Sequence, residues 1–327
     1  MPHTRIIGTG SHAPSKVLTN ADLQKMVETS DEWIRTRTGI SERRIAAETE
    51  ATSDLAYHAS VNALEAANVD AADLDMILVA TITPDMFFPS TACVLQERLQ
   101  AKRAGALDIA AACSGFIYGL AIADGLLRLG TMRTVLVLGA ETLSKVVNWK
   151  DRNTCVLFGD GAGAVILRAD EGERGILSTH LYADGSKGPL LLMPGGGSRN
   201  PVSQRVVDEK LATVQMANGN EVFKHAVRAM EDAALTALKH NHLDVGDVTL
   251  LIPHQANLRI INAVGQRLGI TDDRVCVNVQ KFGNTSAASI PIALDEAVRQ
   301  GRVKVGDLIL LCAFGGGLTW ASSLIRW

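Results

Sequence analysis

The chain has few aromatic residues, no strong excess of either charge, no paired cysteines and no long hydrophobic run, and each shortage removes a class of function. Only 4% of its 327 residues are aromatic, and the formal net charge is −3. Gripping the phosphates of nucleic acid takes a basic surface, so nucleic acid is not an expected partner. Five cysteines, at 93, 113, 155, 276 and 312, make an odd number without a CxxC pair. Neither a disulfide framework nor a zinc site is expected from them, and a reducing cytoplasm suits them. No apolar run approaches the ~18 residues of a membrane helix. Met1-Pro2-His3-Thr4-Arg5 lacks the apolar core of a signal peptide, so no membrane association is expected.

What is present is the composition of a packed, soluble protein, 47% hydrophobic and 20% charged. Apolar, β-branched runs at 76–83 and 134–139 are almost unbroken, as strands buried on both faces must be. Shorter runs at 5–10, 106–110 and 165–168 complete the strands of the first half, and 175–182, 248–252, 275–279, 308–313 and 322–327 supply those of the second. Helical patterns at 52–68, 91–100, 221–239 and 258–268 fall between them. Alternation of this kind predicts sheets covered by helices on both faces.

The two halves look alike. Residues 68–78 match 242–252 at a spacing of 174, and the segment from Cys113 to Gly130 matches that from Asn284 to Gly301 at a spacing of 171. Duplicated halves pack about a pseudo-two-fold axis. This predicts domains 1–172 and 173–327, with Cys113 and Asn284 in matching positions at the centre. The segment 190–214 has no counterpart in the first half and reads as an insertion that shapes an entrance or crosses the surface.

Two glycine-rich stretches need separate readings. Gly8-Thr9-Gly10-Ser11-His12-Ala13 fits the loose GxGxx(G/A) dinucleotide pattern, but Pro14-Ser15-Lys16 stands where the helix should open. A nicotinamide-dependent oxidoreductase is the alternative function resting on that motif. Residues 158–164 run into a strand and read as a tight turn where backbones approach closely.

Cys113 lies where the run 106–110 gives way to a helix that is hydrophobic all round from 116 to 129. The positive end of a helix dipole lowers a thiol pKa, which suits a nucleophile. A cysteine there could equally be one more small buried hydrophobe. Among eight histidines, His254 stands apart because it ends the apolar run 250–253. Strand ends are where ligands gather in α/β sheets, and a thiol nucleophile needs a partner that exchanges protons or donates a hydrogen bond.

Three stretches together, Ala111-Ala112-Cys113-Ser114-Gly115, Pro253-His254-Gln255-Ala256-Asn257 and Gly283-Asn284-Thr285-Ser286-Ala287-Ala288-Ser289, resemble the thiolase-fold condensing enzymes. More narrowly, the chain resembles the β-ketoacyl-acyl-carrier-protein synthase III family. The likeness runs from Arg5-Ile6-Ile7-Gly8-Thr9-Gly10 through Thr29-Ser30-Asp31-Glu32-Trp33-Ile34 and Phe158-Gly159-Asp160-Gly161 to Phe314-Gly315-Gly316-Gly317.

The resemblance implies an α/β, thiolase-like fold of two duplicated βαβαβαββ halves in five layers, α-β-α-β-α. It implies an acyltransferase that joins a short acyl-CoA such as acetyl-CoA to malonyl-acyl-carrier protein by decarboxylative Claisen condensation, opening fatty-acid biosynthesis. Cys113, His254 and Asn284 would be catalytic, and the N–H groups of Cys113 and Gly316 would form the oxyanion hole. Thr29, Trp33, Arg37, Arg152, Asn220, Phe223 and Asn257 would hold CoA, with Trp33 and Arg152 sandwiching the adenine. Phe88 would wall the primer pocket, and Lys224, Arg259 and Arg267 would receive the acidic carrier protein. No cofactor or metal is implied, acyl-CoA being a substrate, and the family is homodimeric, with the pocket completed across the interface. Relatives using secondary-metabolite or branched-chain starters share the same three residues, and a silent paralogue that only binds carrier protein is a further alternative. The 190–214 segment and the doubling of Phe88 by Phe87 leave the primer's length open.

Overall fold

Along each central strand, side chains point alternately to two different cores, and that alternation stacks the chain into layers. The computed structural model describes residues 3–327; Met1 and Pro2, which begin both the expected first domain and the N-terminal segment discussed above, lie outside the described residues. The first sheet holds β1 (His3–His12), β2 (Met76–Ala80), β3 (Gly105–Ile109), β4 (Thr134–Glu141) and β5 (Gly161–Asp170), in the order β1-β5-β4-β2-β3. Strands β4, β2 and β3 run parallel, and β5 is antiparallel to both its neighbours. The second sheet holds β6 (Gly175–Ala183), β7 (Leu250–Pro253), β8 (Leu308–Gly315) and β9 (Thr319–Arg326), in the order β6-β9-β8-β7, with the same alternation of directions.

Helices fill three further layers. They are α1 (Asp31–Thr38), α2 (Thr52–Ala67), α3 (Thr91–Arg98), α4 (Gly115–Arg128), α5 (Gly219–His240), α6 (Leu258–Leu268) and α7 (Ser289–Arg299). Val135 and Val137 of β4 pack inward with α4 and α7, while Leu136 and Leu138 pack outward under α2 and α3. In the second sheet Ile309 and Leu311 of β8 face that same central layer, and Leu308 and Leu310 face α5 and α6. Side chains alternating with a period of two produce this split. The layers follow the expected order α-β-α-β-α. Each buried Leu or Val contributes roughly 1.5–3 kcal/mol, so the two-sided strands stabilise the middle of the molecule, where the site lies.

The duplication has one register in three dimensions, and it differs from the one expected around Cys113. Ala112 and Ser286 both take left-handed φ values, 44° and 48°, which residues with a Cβ adopt only at some cost. Each opens a single tight turn, Ala112–Ser114 or Ser286–Ala288, that feeds a buried helix. Ala112 and Ser286, Met76 and Leu250, and Thr134 and Leu308 are each 174 residues apart. Cys113 therefore matches Ala287, and Asn284 lies three residues upstream of that point. The spacing of 171 holds only for the terminal glycines, because α4 has 14 residues and α7 has 11.

Other expectations also change. The strand expected at 275–279 shrinks to one parallel bridge between Val275 and Leu251. The Gln255 side-chain oxygen accepts the N–H groups of Asn278 and Val279, at 2.9 and 3.3 Å, and the chain turns into a short helix, Val279–Phe282. Of the turn expected at 158–164, residues from Gly161 onward are already strand. Gly8 and Gly10 sit within β1, where an added Cβ would come within 2.6 Å of the Ala63 oxygen and 2.3 Å of the Ala63 nitrogen. They let α2 lie on the sheet and open no helix, so the motif offers no phosphate cradle and the oxidoreductase reading loses its basis.

Candidate active site

Cys113 occupies the turn ahead of α4 and is 8% exposed. Its fit depends on Gly315 at the end of β8, where a Cβ would stand 2.6 Å from the Cys113 nitrogen. The second sheet thus presses its backbone against the Cys113 turn of the first half.

His254 follows β7 directly. Its N–H donates to the Cys312 oxygen at 2.8 Å, and its Nδ1 lies 2.6 Å from Ser289 Oγ at the start of α7. Ser289 Oγ also accepts the Gln255 N–H at 3.3 Å, which suits a Ser289 hydroxyl donating to Nδ1 and a ring proton on Nε2. Gln255 anchors the loop by donating to the Pro253 and Cys276 oxygens at 2.8 and 3.0 Å. Asn284 Oδ1 accepts the Ser286 N–H at 2.9 Å, leaving the Nδ2 amide as a free donor, and the Asn284 N–H is fixed on the Leu157 oxygen at 2.8 Å. Cys113, His254 and Asn284 line one cavity of about 530 Å³.

Burial sets the charges here. It pushes the Cys113 thiol up to about 12, against a lowering by the Ser286 hydroxyl. The resting side chain is a neutral thiol, and the lowered pKa expected from the helix dipole gives way to loss of solvation. Burial also pulls His254 down to about 3, so its ring is neutral at pH 7. Glu141, at the end of β4, is fully buried, and burial pushes it up to about 7 against hydrogen bonds from Thr83, Ile82 and Thr81.

Most of the expected CoA contacts reach the same cavity. Trp33, Arg37, Asn220, Phe223 and Asn257 line it, and Arg259 joins them with its guanidinium 5.5 Å from the Phe223 ring centre. Arg37 and Arg152 stand 4.6 and 5.0 Å from the Trp33 ring centre. Arg152 thus rests on the face where an adenine was expected, and it donates to the Glu28 oxygen at 3.1 Å. Asn257 caps α6 through Arg259 N–H at 2.8 Å and donates to the Arg37 oxygen at 3.1 Å, tying α1 to α6. Thr29 does not line the cavity; its hydroxyl is buried without a partner among the described residues. Lys224 and Arg259 are exposed, whereas Arg267 is already paired with Glu231 at 2.5 Å.

A second cavity of about 530 Å³ also reaches Cys113 and includes Gly316. Ile82, Leu143, Val146, Leu192, Met193 and Val214 make its wall apolar. Three of these six come from the 190–214 segment, which carries half of a two-strand ladder, Leu191–Leu192 with Gln215–Met216. Phe88 lines neither cavity within one chain and is 85% exposed. Sequence reading also missed Ser289, Gln255, Ser286 and Glu141. Only Glu141 carried a signal, as the one charged residue of the wholly buried strand β4.

Known proteins are similar to this chain along nearly its whole length. Residues 107–185 match the family profile described as 3-Oxoacyl-[acyl-carrier-protein (ACP)] synthase III, and residues 238–327 match its C-terminal counterpart. The Beta-ketoacyl-[acyl-carrier-protein] synthase III of Caldanaerobacter subterraneus subsp. tengcongensis is 60% identical over 322 residues, covering 98% of this chain and 97% of that one. Its namesake from Xylella fastidiosa is 58% identical over 325 residues, covering 99% and 98%. The crystal structure of 3-oxoacyl-[acyl-carrier-protein] synthase III from Aquifex aeolicus VF5 aligns with a TM-score of 0.93 at 52% identity, over 99% of this chain and 100% of that one. Identity of this order over nearly the whole chain makes it a member of the β-ketoacyl-acyl-carrier-protein synthase III family.

Proposed function

We propose that the chain is an acyltransferase that moves a short acyl group from acyl-CoA onto Cys113 and then condenses it with malonyl-acyl-carrier protein. The products are 3-oxoacyl-acyl-carrier protein, CoA and CO2, in the first condensation of fatty-acid biosynthesis. One observation carries the reading: a cysteine, a neutral histidine and an asparagine amide meet at a single cavity.

In the first half-reaction the Cys113 sulfur attacks the thioester carbonyl, and the N–H groups of Cys113 and Gly316 receive the oxyanion. The N-terminus of α4 favours the developing negative charge. In the second, His254 Nε2 and Asn284 Nδ2 donate to the malonyl thioester oxygen and stabilise the enolate left by CO2 loss. That carbanion attacks the acyl-cysteine. The residues of 1–172 thus supply the nucleophile, and those of 173–327 the donors. Acyl-CoA is a substrate, and no step calls for a cofactor or metal.

The CoA moiety would occupy the mouth lined by Trp33, Arg37, Asn220, Phe223 and Asn257, with Arg152 swinging off the Trp33 ring to admit the adenine. Thr29 would offer its unpartnered hydroxyl there. The acyl chain would enter the second, apolar cavity. Lys224, Arg259 and Arg267, once released from Glu231, would meet the acidic carrier protein. Phe87 and Phe88, 78% and 85% exposed, suit burial against a second copy of the chain in a homodimer, where Phe88 would wall the partner's pocket. No helix of the described residues is long and apolar enough to cross a membrane. All five cysteines are unpaired, which supports a reducing cytoplasm as the working compartment.

Intact-protein mass spectrometry after incubation with acetyl-CoA tests the reading. The native chain is expected to gain one acetyl group and lose it to malonyl-acyl-carrier protein. Acetylation of a Cys113→Ala variant to the same extent overturns the assignment.

A further inference from the structure

A donor such as the Asn284 amide works only if its loop is held in place, and a buried cation lies against that loop. Arg43 is wholly buried, which arginine almost never is unless paired. Its neighbour Glu42 pairs instead with Arg44, at 3.6 Å. Among the described residues the acceptors that meet the guanidinium are all neutral. Nη1 donates to the Leu18 oxygen at 3.2 Å and to Asn20 Oδ1 at 2.8 Å, and Nη2 donates to the Val156 oxygen at 2.7 Å. Nε has no partner among the described residues. Burial pulls the group down to about 10, so it is still charged at neutral pH.

What the guanidinium holds is the support of Asn284. Val156 precedes Leu157, whose oxygen accepts the Asn284 N–H at 2.8 Å, and the Gly159 N–H donates back to the Asn284 oxygen at 3.0 Å. These two bonds make the bridge between Phe158 and Asn284. The stem of Arg43 closes the same corner, since a Cβ added at Gly159 or Gly283 would stand 3.0 or 3.2 Å from Arg43 Cβ. The flanking backbone is tied in as well: the Ser41 N–H donates to the Gln280 oxygen at 3.1 Å, and the Asp160 N–H to the Arg44 oxygen at 2.8 Å. On its other side the guanidinium meets Asn20, whose Nδ2 donates to Asp31 Oδ1 and to the Ile40 oxygen, both at 2.8 Å. Through Asn20, one planar fork links the first turn of α1 to the turn beside the Asn284 loop, a span that the single nitrogen of a lysine cannot cover.

Resting on the acyltransferase reading, we propose that Arg43 is a positioning residue for the second half-reaction, holding the turn 156–159 so that the Asn284 amide meets the malonyl thioester. It touches neither the substrate nor the reacting atoms. Its effect runs through the peptide groups of Val156 and Leu157 and ends at Asn284 Nδ2, the donor that the enolate needs. The Cys113 turn rests on other supports. Thr319 Oγ1 donates to the Ala111 oxygen at 2.9 Å, and Ser114 Oγ donates to the Thr319 oxygen at 3.0 Å, so β9 holds that turn from the second sheet. Acylation therefore survives changes at Arg43 that decarboxylation does not.

The test is a double-mutant cycle in the full chain, combining Arg43→Lys with Asn284→Ala. Two rates are read: decarboxylation of malonyl-acyl-carrier protein, and single-turnover acylation of Cys113 at saturating acetyl-CoA. Lysine keeps the charge but brings one nitrogen where the guanidinium uses two. Arg43→Lys alone is expected to slow decarboxylation about 10- to 10²-fold and to change acylation less than about threefold. With Asn284→Ala already present it is expected to slow decarboxylation less than about twofold, because the donor it positions is gone. Asn20→Ala, which removes one acceptor and leaves Arg43 in place, replaces Arg43→Lys in the cycle should lysine prevent folding, with the same pattern at smaller size. Additive losses in the cycle, or equal losses in the two half-reactions, overturn the positioning role. A native chain that neither takes up an acetyl group at Cys113 nor releases CO2 from malonyl-acyl-carrier protein instead overturns the acyltransferase reading on which it rests.

Discussion

Ser289 Oγ stands 2.6 Å from His254 Nδ1, so the first residue of the helix that follows the Asn284 loop also orients the other candidate donor. Both donors are therefore set by one short stretch, 284–289. Replacing Ser289 by Ala strips Nδ1 of its partner and leaves the Gln255 N–H without its acceptor. A loss of about 1–3 kcal/mol in stability is expected from the buried N–H alone. Decarboxylation of malonyl-acyl-carrier protein is expected to fall about tenfold or more, with acylation by acetyl-CoA affected less. Chemical denaturation and separate assays of the two half-reactions check this. Equal loss in both would show that Ser289 serves packing alone.

Asn284→Asp is a finer probe, because the side-chain oxygen that accepts the Ser286 N–H is kept while the Nδ2 donor is removed. The carboxylate also places negative charge where the enolate forms. Decarboxylation is expected to drop by about 10²–10³, the cost of one lost donor, and more if the new charge repels the enolate. Acetyl-enzyme should still accumulate, visible by mass. Unimpaired condensation would remove Asn284 from the mechanism.

How much of this was legible beforehand depends on which residues carry a local signature. The strands β2 and β4 were readable because burial on both faces demands unbroken apolar runs. Cys113 and His254 were readable because each stands where such a run ends. The register of the duplication was not, since the turns that set it begin with Ala112 and Ser286, residue types that give no hint of positive φ. Asn284 and the terminal glycines drew the comparison three residues out of step instead. Helix α1 was missed because only Ile34 and Thr38 are buried on it. Its start was nonetheless written in Ser30, which accepts the Trp33 N–H, and in the acids Asp31 and Glu32 of the first turn. Ser289, Ser286 and Gln255 were invisible as partners, because their hydrogen bonds join segments that only the fold brings together.

Phe87 and Phe88 offer a test of assembly. Together with Met86 they form an exposed apolar tip on the loop that follows β2. Burying two such side chains in a partner contributes roughly 3–6 kcal/mol, taking about 1.5–3 kcal/mol for each. A Phe88→Asp variant is expected to shift sedimentation from dimer towards monomer and to weaken acylation by longer acyl-CoAs. An unaltered dimer with native chain-length preference would place the interface elsewhere.

His254 and Glu141 titrate in opposite senses, and their removal one at a time should expose the two slopes. His254 is lowered from 6.5 to about 3 by burial, so between those values the unfolded chain binds the proton that the folded chain refuses. Its contribution is whole above pH 6.5 and is lost as pH falls towards 3, at about 1.4 kcal/mol per pH unit. Glu141 is raised from 4.5 to about 7, so the folded chain binds the extra proton, and its contribution is lost as pH rises through that range. Between pH 4.5 and 6.5 the two slopes cancel. In Glu141→Gln, stability relative to the native chain should therefore rise with pH across this window, and in His254→Asn it should fall. Urea midpoints taken at intervals across it measure both differences, with all other titrating groups common to the three proteins. A pair of variants whose stabilities track the native curve in parallel would mean that neither group is held away from its ordinary pKa, and with that the neutral donor at His254 would be lost.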